Sequence, residues 1–411
     1  MRKTLMVSKQ ISTVLGEPFF IEFSGLESGQ IIRINAKAKD SANRVWGYQE
    51  TLRADIDGKL NMTTNIPCEG AYQGIDAYEL IYGMELVEPS FPPYFLQDGM
   101  KNLTISLCIN LEDQVLEEME LTFDLYQTEV TQIEIQKNFS GKFFLPKKLK
   151  GPLPAVLVLG GSLGGFHWSE QVANYLASHG YAALAVAYFD WNGAHLLPNQ
   201  LANVPLEPCL DAMKWLATHS TVDSNKLGII GYSKGAELAL LLASKLEKND
   251  FQALVTLSPS SHIFAGFSME EALNTSSWSY QGEPVPYLPY PKTNHPLYET
   301  NLYDLHSEAI KQSSKEIWEQ ARISVEKIKS PMLIVTGVQD STWPSVEMVD
   351  TIEVQTSSKL IKKVILEEAG HDFTLPYLPI VTNNDNLQKE KIELARRKTW
   401  DNVREFLKQT L

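Results

Sequence analysis

The sequence predicts two domains of different class: an all-β sandwich over residues 1–127, then a mostly parallel, doubly wound α/β sheet over residues 128–411. Three observations predict it. At 411 residues the chain can bury more core than one domain commonly holds. Up to about Thr128 it reads as short strands punctuated by turns, with no long helical period. Beyond that point, continuous apolar strands alternate with amphipathic helices.

In the first part, Pro18–Phe23 alternates and stops at Ser24-Gly25. Gln30–Lys37 sets Ile32, Ile34 and Ala36 against Arg33, Asn35 and Lys37, the two-residue period of a half-buried strand. Trp46–Ala54 and Leu60–Thr64 flank Asp57-Gly58, a hairpin signal because Gly tolerates the positive φ that a tight turn needs. Leu103–Asn110 and Met119–Tyr126 read as a closing pair.

In the second part, the expected strands are Ala155–Leu159, Ala182–Tyr188, Lys226–Tyr232, Ala253–Ser258, Met332–Gly337 and Lys362–Leu366. Helices are expected near Trp168–Ser178, Pro205–Ala217, Ala236–Leu246 and Asn386–Gln409. In such sheets ligands bind beyond the carboxyl ends of the strands. Between residues 259 and 330 the alternation stops. That insertion carries Phe264, Phe267, Trp278, Tyr280, Tyr287, Tyr290, Tyr298 and Tyr303, with Pro284, Pro286, Pro289, Pro291 and Pro296. A stretch this long inside a domain reads as a lid or binding loop, its aromatics suited to an elongated apolar ligand, or as an excursion packed over the sheet for stability.

The strand Lys226–Tyr232 runs into Gly231-Tyr232-Ser233-Lys234-Gly235, and a helix-forming run follows. A G-x-S-x-G in that setting is a nucleophile elbow: the serine stands on a strained turn, and the glycines spare a clash between strand and helix. A serine hydroxyl needs a base and a carboxylate that orients the base. In α/β-hydrolases the order along the chain is Ser, acid, His. Asp340 follows the strand Met332–Gly337, and His371 follows the strand Lys362–Leu366. His295 and His306 fall inside the insertion, and His262 precedes any strand-end acid, so His371 is the candidate base. The oxyanion needs two N–H donors. One is expected at Lys234, directly after the nucleophile. The other is expected in the loop Gly160-Gly161-Ser162-Leu163-Gly164-Gly165, at Ser162 or Leu163. That loop lacks the Lys-Ser/Thr of a P-loop and the spacing of a dinucleotide fingerprint. The Lys234 side chain is expected to be solvated or paired locally.

Composition narrows the partners. The chain is 44% hydrophobic and 21% charged, with a formal net charge of −14. That charge argues against nucleic acid or an anionic membrane as a partner. Cys68, Cys108 and Cys209 suit neither a disulfide framework nor a zinc site, and read as small buried hydrophobes in a reducing compartment. Met1-Arg2-Lys3 is followed by no apolar h-region, no run reaches membrane-spanning length, and Gln409-Thr410-Leu411 is not a peroxisomal address. The expected location is the cytoplasm. No metal or cofactor is expected, and the oligomeric state is left open.

These motifs, in order, resemble the family of acyl-CoA thioesterases and bile acid-CoA:amino acid N-acyltransferases over nearly the whole length. Gly70-Ala71-Tyr72-Gln73-Gly74-Ile75-Asp76-Ala77-Tyr78-Glu79-Leu80 resembles a stretch of that family's immunoglobulin-like domain. Ser233-Lys234-Gly235-Ala236-Glu237-Leu238 is similar to its elbow. Ser277-Trp278-Ser279-Tyr280-Gln281-Gly282, Val325-Glu326-Lys327-Ile328, the stretch from Asp340 to Trp343 and Gly370-His371 also match. The resemblance implies an immunoglobulin-like first domain, an acyl-CoA substrate, and Ser233, Asp340 and His371 as nucleophile, acid and base. Members that conjugate acyl groups to amino acids carry Cys as nucleophile, so Ser233 points to hydrolysis. The alternatives are N-acyl transfer to an amino acid, a carboxylesterase or dienelactone-type hydrolase, and a non-enzymatic binding protein; an intact Ser, Asp and His set speaks against the last.

Overall fold

The computed structural model describes residues 6–10, 14–62, 77–90, 94–97, 99–126, 128–148, 151–247, 250–268, 270–292, 299–356, 358–381 and 388–411. The chain divides into two compact units. One comprises Met1–Gln127 with Leu375–Leu394, the other Thr128–Thr374 with Ala395–Leu411. The stretch 375–394, expected in the second domain, groups with the first.

The first unit contains β1 (Met6–Gln10), β2 (Phe20–Ser24), β3 (Ile31–Lys39), β4 (Val45–Arg53), β5 (Lys59–Asn61), the short helix α1 (Glu79–Tyr82), β6 (Glu85–Leu86), β7 (Asn102–Leu111) and β8 (Gln114–Asp124). The strands form two antiparallel sheets, ordered β1-β2-β5 and β6-β4-β3-β7-β8. Alternation sets the faces. In β3, Ile32, Ile34, Ala36 and Ala38 are buried while Arg33, Lys37 and Lys39 are exposed. Ile34 lies opposite Ile109, and Ala36 opposite Leu107, on the buried face of the neighbouring β7. Two sheets with alternating buried faces make the sandwich.

The expected hairpin at Asp57-Gly58 is a turn but not a hairpin. β4 pairs with β3 and β6, whereas β5 pairs with β2 in the other sheet. Gly58 takes φ 70°, and its carbonyl accepts from Leu26 N at 3.1 Å, so the turn carries the chain from one sheet to the other. Cys68 and Gly70–Asp76 lie outside the described residues.

The second unit opens with an antiparallel pair, β9 (Val130–Gln136) and β10 (Ser140–Pro146). The sequence reading missed both. β9 has no buried position, and only Ile133 and Ile135 alternate with polar residues in it. Then come β11 (Leu153–Leu159), α2 (His167–Ser178), β12 (Ala182–Ala187), β13 (Val204–Pro205), α3 (Glu207–Thr218), β14 (Val222–Tyr232), α4 (Lys234–Ala243) and β15 (Ala253–Leu257). The insertion holds β16 (Ala265–Phe267), β17 (Ala272–Ser276), β18 (Trp278–Tyr280), β19 (Glu283–Pro284), α5 (Leu302–Gln312) and α6 (Lys315–Ala321). The chain ends with β20 (Met332–Gly337), α7 (Ser345–Gln355), β21 (Ile361–Leu366) and α8 (Lys389–Thr410).

The main sheet runs β21-β20-β15-β14-β11-β12-β10-β9, parallel except for β10, which is antiparallel to both its neighbours β12 and β9. Every residue of β12, β15 and β20 is buried, as expected of parallel strands covered on both faces. This is the α/β-hydrolase arrangement, and it aligns the carboxyl ends of β11, β14, β20 and β21. In the insertion, β18 joins β13 and β19, and β16 pairs with β17. Phe264 and Trp278 are fully buried, so these two aromatics serve packing. His295 and Tyr298 lie outside the described residues.

The strand register of β3 is directly testable. Ile34→Ala empties a site with 0% exposure and should cost about 2–5 kcal/mol in urea unfolding. Ile31→Thr, at a residue 42% exposed on the opposite face, should change stability by no more than about 0.5 kcal/mol. Equal losses at both positions would contradict the register.

Candidate active site

Ser233 occupies the turn between β14 and α4 with φ 55° and ψ −123°. A side-chain-bearing residue pays roughly 1–3 kcal/mol for such a conformation unless its surroundings enforce it. Here they do. Ser233 N donates to Leu257 O of the neighbouring strand at 2.9 Å, and Ser233 O accepts from Ala236 N and Glu237 N at 2.8 and 3.0 Å. The two flanking glycines permit the approach. A Cβ on Gly231 would overlap the backbone of Gly235, and one on Gly235 would overlap the carbonyls of Leu159 and Gly160. Strand, helix and the loop after β11 therefore meet backbone to backbone around the serine.

His371 and Asp340 arrive on the loops after β21 and β20. Val338 N donates to Leu366 O and Gln339 N to Ala369 O, at 3.0 and 2.9 Å. A Cβ on Gly337 would strike the carbonyls of Ala369 and Gly370, so glycine lets the two loops touch. Ser258, at the end of β15, donates from Oγ to His371 O at 3.0 Å. Arg396 of α8 is 2.5 Å from Asp372, the next residue, and Trp400 Nε1 donates to Thr374 O at 2.9 Å. The Trp343 ring stands edge-on to the His371 ring, with centroids 5.3 Å apart.

The three side chains predicted from sequence come together. His371 Nδ1 is 2.8 Å from Asp340 Oδ2, and His371 Nε2 is 2.8 Å from Ser233 Oγ. Asp340 also accepts from the N–H of Thr342 at 2.8 Å and of Trp343 at 3.2 Å, and from the Ser345 hydroxyl. Burial pushes the Asp340 carboxyl up, but the attraction and hydrogen bond of His371, with the other donors, outweigh it and hold the group below the ordinary aspartate value. Asp340 is thus ionised near neutral pH and can only accept. Nδ1 of His371 therefore donates to Asp340, and Nε2 faces the Ser233 hydroxyl.

The residues expected to stabilise an oxyanion are also near the serine. Lys234 is the first residue of α4. A Cβ built on Gly161 would lie 3.2 Å from Ser233 Cβ, so the loop holding Ser162 and Leu163 passes beside Ser233. Trp191 Nε1 donates to Ser162 O at 3.2 Å, and Tyr188 Oη donates to Gly160 O at 2.5 Å and to Gly161 O at 3.3 Å. The Lys234 side chain is paired rather than solvated. It is buried, 2.5 Å from Glu237, and Glu237 accepts from Trp278 Nε1 at 2.7 Å. Burial lowers the Lys234 pKa and raises that of Glu237, each opposed by the partner's charge.

His262 and His306 are held elsewhere. His262 bonds Ser261 Oγ at 2.8 Å, and burial drops its pKa to about 4. His306 sits between Leu302 O (2.7 Å) and the Tyr290 hydroxyl (3.0 Å), and burial likewise drops it to about 4. Sequence reasoning missed Tyr188, Ser258, Ser345 and Arg396. Only Ser258 left a trace, as a hydroxyl directly after a strand in the correct half of the sheet. Among the described residues, no group of His, Cys, Asp and Glu is arranged to hold a metal ion, and no helix is long and apolar enough to cross a membrane.

The glycine contacts generate a prediction. Gly235→Ala should force the loop after β11 away from the elbow, cutting turnover at least about 100-fold with a smaller effect on secondary structure by circular dichroism. Full activity in that variant would disprove the close backbone approach.

Comparison with known proteins places the chain. Residues 204–411 match the family described as BAAT / acyl-CoA thioester hydrolase C terminal, residues 16–137 the acyl-CoA thioester hydrolase/BAAT N-terminal region, and residues 139–263 the dienelactone hydrolase family. Acyl-coenzyme A thioesterase 6 of Mus musculus is 26% identical over 394 residues, covering 92% of this chain and 87% of its own. The Mus musculus acyl-coenzyme A amino acid N-acyltransferase 1 is 30% identical over 254 residues, 59% of each chain. The Mus musculus bile acid-CoA:amino acid N-acyltransferase is 26% identical over 435 residues, covering 98% of this chain and 96% of its own. With its C-terminal half matched by one family and its N-terminal region by the companion family, the chain belongs to the BAAT/acyl-CoA thioester hydrolase family.

Proposed function

We propose that the protein is a serine-dependent hydrolase of acyl-CoA thioesters, with Ser233 as nucleophile, His371 as base and Asp340 as the carboxylate that orients it. The observation that carries this reading is the unbroken chain from Asp340 through His371 to Ser233, each link 2.8 Å, ending on a serine at positive φ in an elbow. The thioesterase relatives supply the substrate class.

The chemistry follows from the tautomer. Ser233 Oγ attacks the thioester carbonyl while His371 Nε2 takes its proton, and Asp340 stabilises the imidazolium. The carbonyl oxygen becomes an oxyanion beside the N–H of Lys234 and that of Ser162 or Leu163, at the positive end of α4. When the tetrahedral adduct collapses, the C–S bond breaks and CoA leaves, its sulfur taking the proton from His371. The neutral imidazole then deprotonates a water, which attacks the acyl ester. Collapse of this second adduct returns the proton to Ser233 and releases the carboxylic acid.

The reading is tested with a fluorophosphonate probe and a panel of acyl-CoAs from acetyl to palmitoyl, scored by thiol release. Ser233→Ala should abolish labelling and lower kcat by about 10⁴-fold or more. His371→Ala and Asp340→Asn should depress kcat far more than KM, and should add little to the loss in Ser233→Ala. Labelling at a different serine would reassign the site.

The N-acyltransferase relatives motivate a second reading, acyl transfer to an amino acid. It is separated by mass spectrometry of the products with and without glycine. The native enzyme should release free acid in both cases. Ser233→Cys should hydrolyse more slowly and divert a larger fraction to N-acylglycine, because a thioester is the better acyl donor to an amine. If the native enzyme makes mainly N-acylglycine, transfer replaces hydrolysis as its function.

A further inference from the structure

The loop that passes beside Ser233 begins Gly160-Gly161. Glycine accepts either sign of φ, so nothing intrinsic to these two residues decides which way their peptide groups face. Inside the loop, Gly164 N donates to Gly161 O at 3.3 Å, whereas the donor to Gly160 O comes from outside it. Tyr188 directly follows β12, the strand paired with β11 in parallel register, and it is buried. Its hydroxyl donates to Gly160 O at 2.5 Å and lies 3.3 Å from Gly161 O. In a trans peptide the carbonyl of one residue and the N–H of the next point in opposite directions. Drawing these two carbonyls toward the phenol therefore turns the N–H groups of Gly161 and Ser162 away from it. A flip of the Gly161–Ser162 peptide would replace an N–H by a carbonyl oxygen beside a developing negative charge.

The phenol is itself held. Its ring stands edge-on to Trp278, with centroids 5.4 Å apart, and Trp278 Nε1 donates to Glu237, the partner of Lys234. Both expected donor segments, the loop and the start of α4, are thereby tied to one buried array of side chains.

We infer that Tyr188 is a positioning residue for the oxyanion site: its hydroxyl fixes the Gly160–Ser162 peptides in the orientation that presents N–H groups to the reacting carbonyl. The inference rests on the hydrolase reading above and assigns a role outside the three side chains. The test is Tyr188→Phe, which keeps the ring and removes the donor. Three readouts are compared with wild type: turnover of the best acyl-CoA, inhibition by an acyl trifluoromethyl ketone, whose serine adduct bears an oxyanion, and the rate of fluorophosphonate labelling of Ser233. The kcat should fall about 10–100-fold with KM changed by less than about 2-fold, and the inhibition constant should rise by the same factor as kcat falls. Labelling of Ser233 should slow about 10-fold or more, because the phosphoryl oxygen uses the same donors. 3-Fluorotyrosine at position 188, which retains the hydroxyl, should restore all three; if the phenylalanine variant does not fold, 4-methylphenylalanine at position 188, which fills the hydroxyl's volume without donating, carries the test and should show the same three losses. Unchanged kcat in Tyr188→Phe, or a loss of kcat with the inhibition constant unmoved, would overturn the proposal. If the wild type fails to hydrolyse acyl-CoA but labels at Ser233, the substrate class fails while the labelling rate still decides the role of Tyr188.

Discussion

The site depends on a single backbone constraint: a serine held at positive φ between β14 and α4. The conformation aims Oγ out of the sheet, and it survives because three backbone segments close on it. Leu257 O takes the Ser233 N–H, the first turn of α4 takes its carbonyl, and the loop after β11 lies against Gly235. Each closure needs either a neighbouring parallel strand or a missing Cβ. The order β15-β14-β11 puts such a strand on both sides of β14, and Gly231 and Gly235 remove the Cβ atoms. Sheet order, glycine spacing and the position of the hydroxyl are one arrangement seen at three scales.

The same logic governs the other side of the site. Gly337 lets the end of β20 touch the loop that carries His371, and two backbone hydrogen bonds join them. Asp340 and His371 sit on loops joined at their roots, so the 2.8 Å contact between them does not depend on either loop alone. Ser258 adds a third support from β15, by holding the carbonyl of His371 itself. Asp340 accepts from Thr342, Trp343 and Ser345 besides pairing with His371, and together these hold the buried carboxylate below the ordinary aspartate value.

Much of this was legible in the sequence because it rests on local rules. The alternation of Ile32, Ile34 and Ala36 set the buried face of β3, and the apolar strand, G-x-S-x-G and helical run located the elbow. Asp340 and His371 could be picked because each lies in the loop after a strand of the parallel sheet, β20 and β21. What was not legible is non-local. Asp57-Gly58 specifies a turn, but whether the strands around it pair or part to different sheets is decided by packing partners far along the chain. The strand β9, with no fully buried position, offers only the short alternation of Ile133 and Ile135, too brief to separate a strand from a loop. The placement of Tyr188 against Gly160 joins residues 28 apart, and no spacing rule connects them.

The buried Lys234–Glu237–Trp278 array shows how the insertion enters the site without touching the reacting atoms. An ion pair taken out of water gains little net stability, since desolvation offsets most of the Coulomb attraction. Its geometry is nonetheless costly to change, because removing one partner leaves the other charge buried, at about 3–5 kcal/mol. Lys234 and Glu237 belong to the first turn of α4, whereas Trp278 comes from β18, which pairs with β13. The indole N–H closes the pair from the insertion side and its ring packs on Lys234, with the ammonium 5.4 Å from the centroid. The aromatic composition of residues 259–330 suggested a binding surface. At Trp278 the aromatic instead locks the helix that Ser233 precedes, so the insertion is a structural member of the elbow.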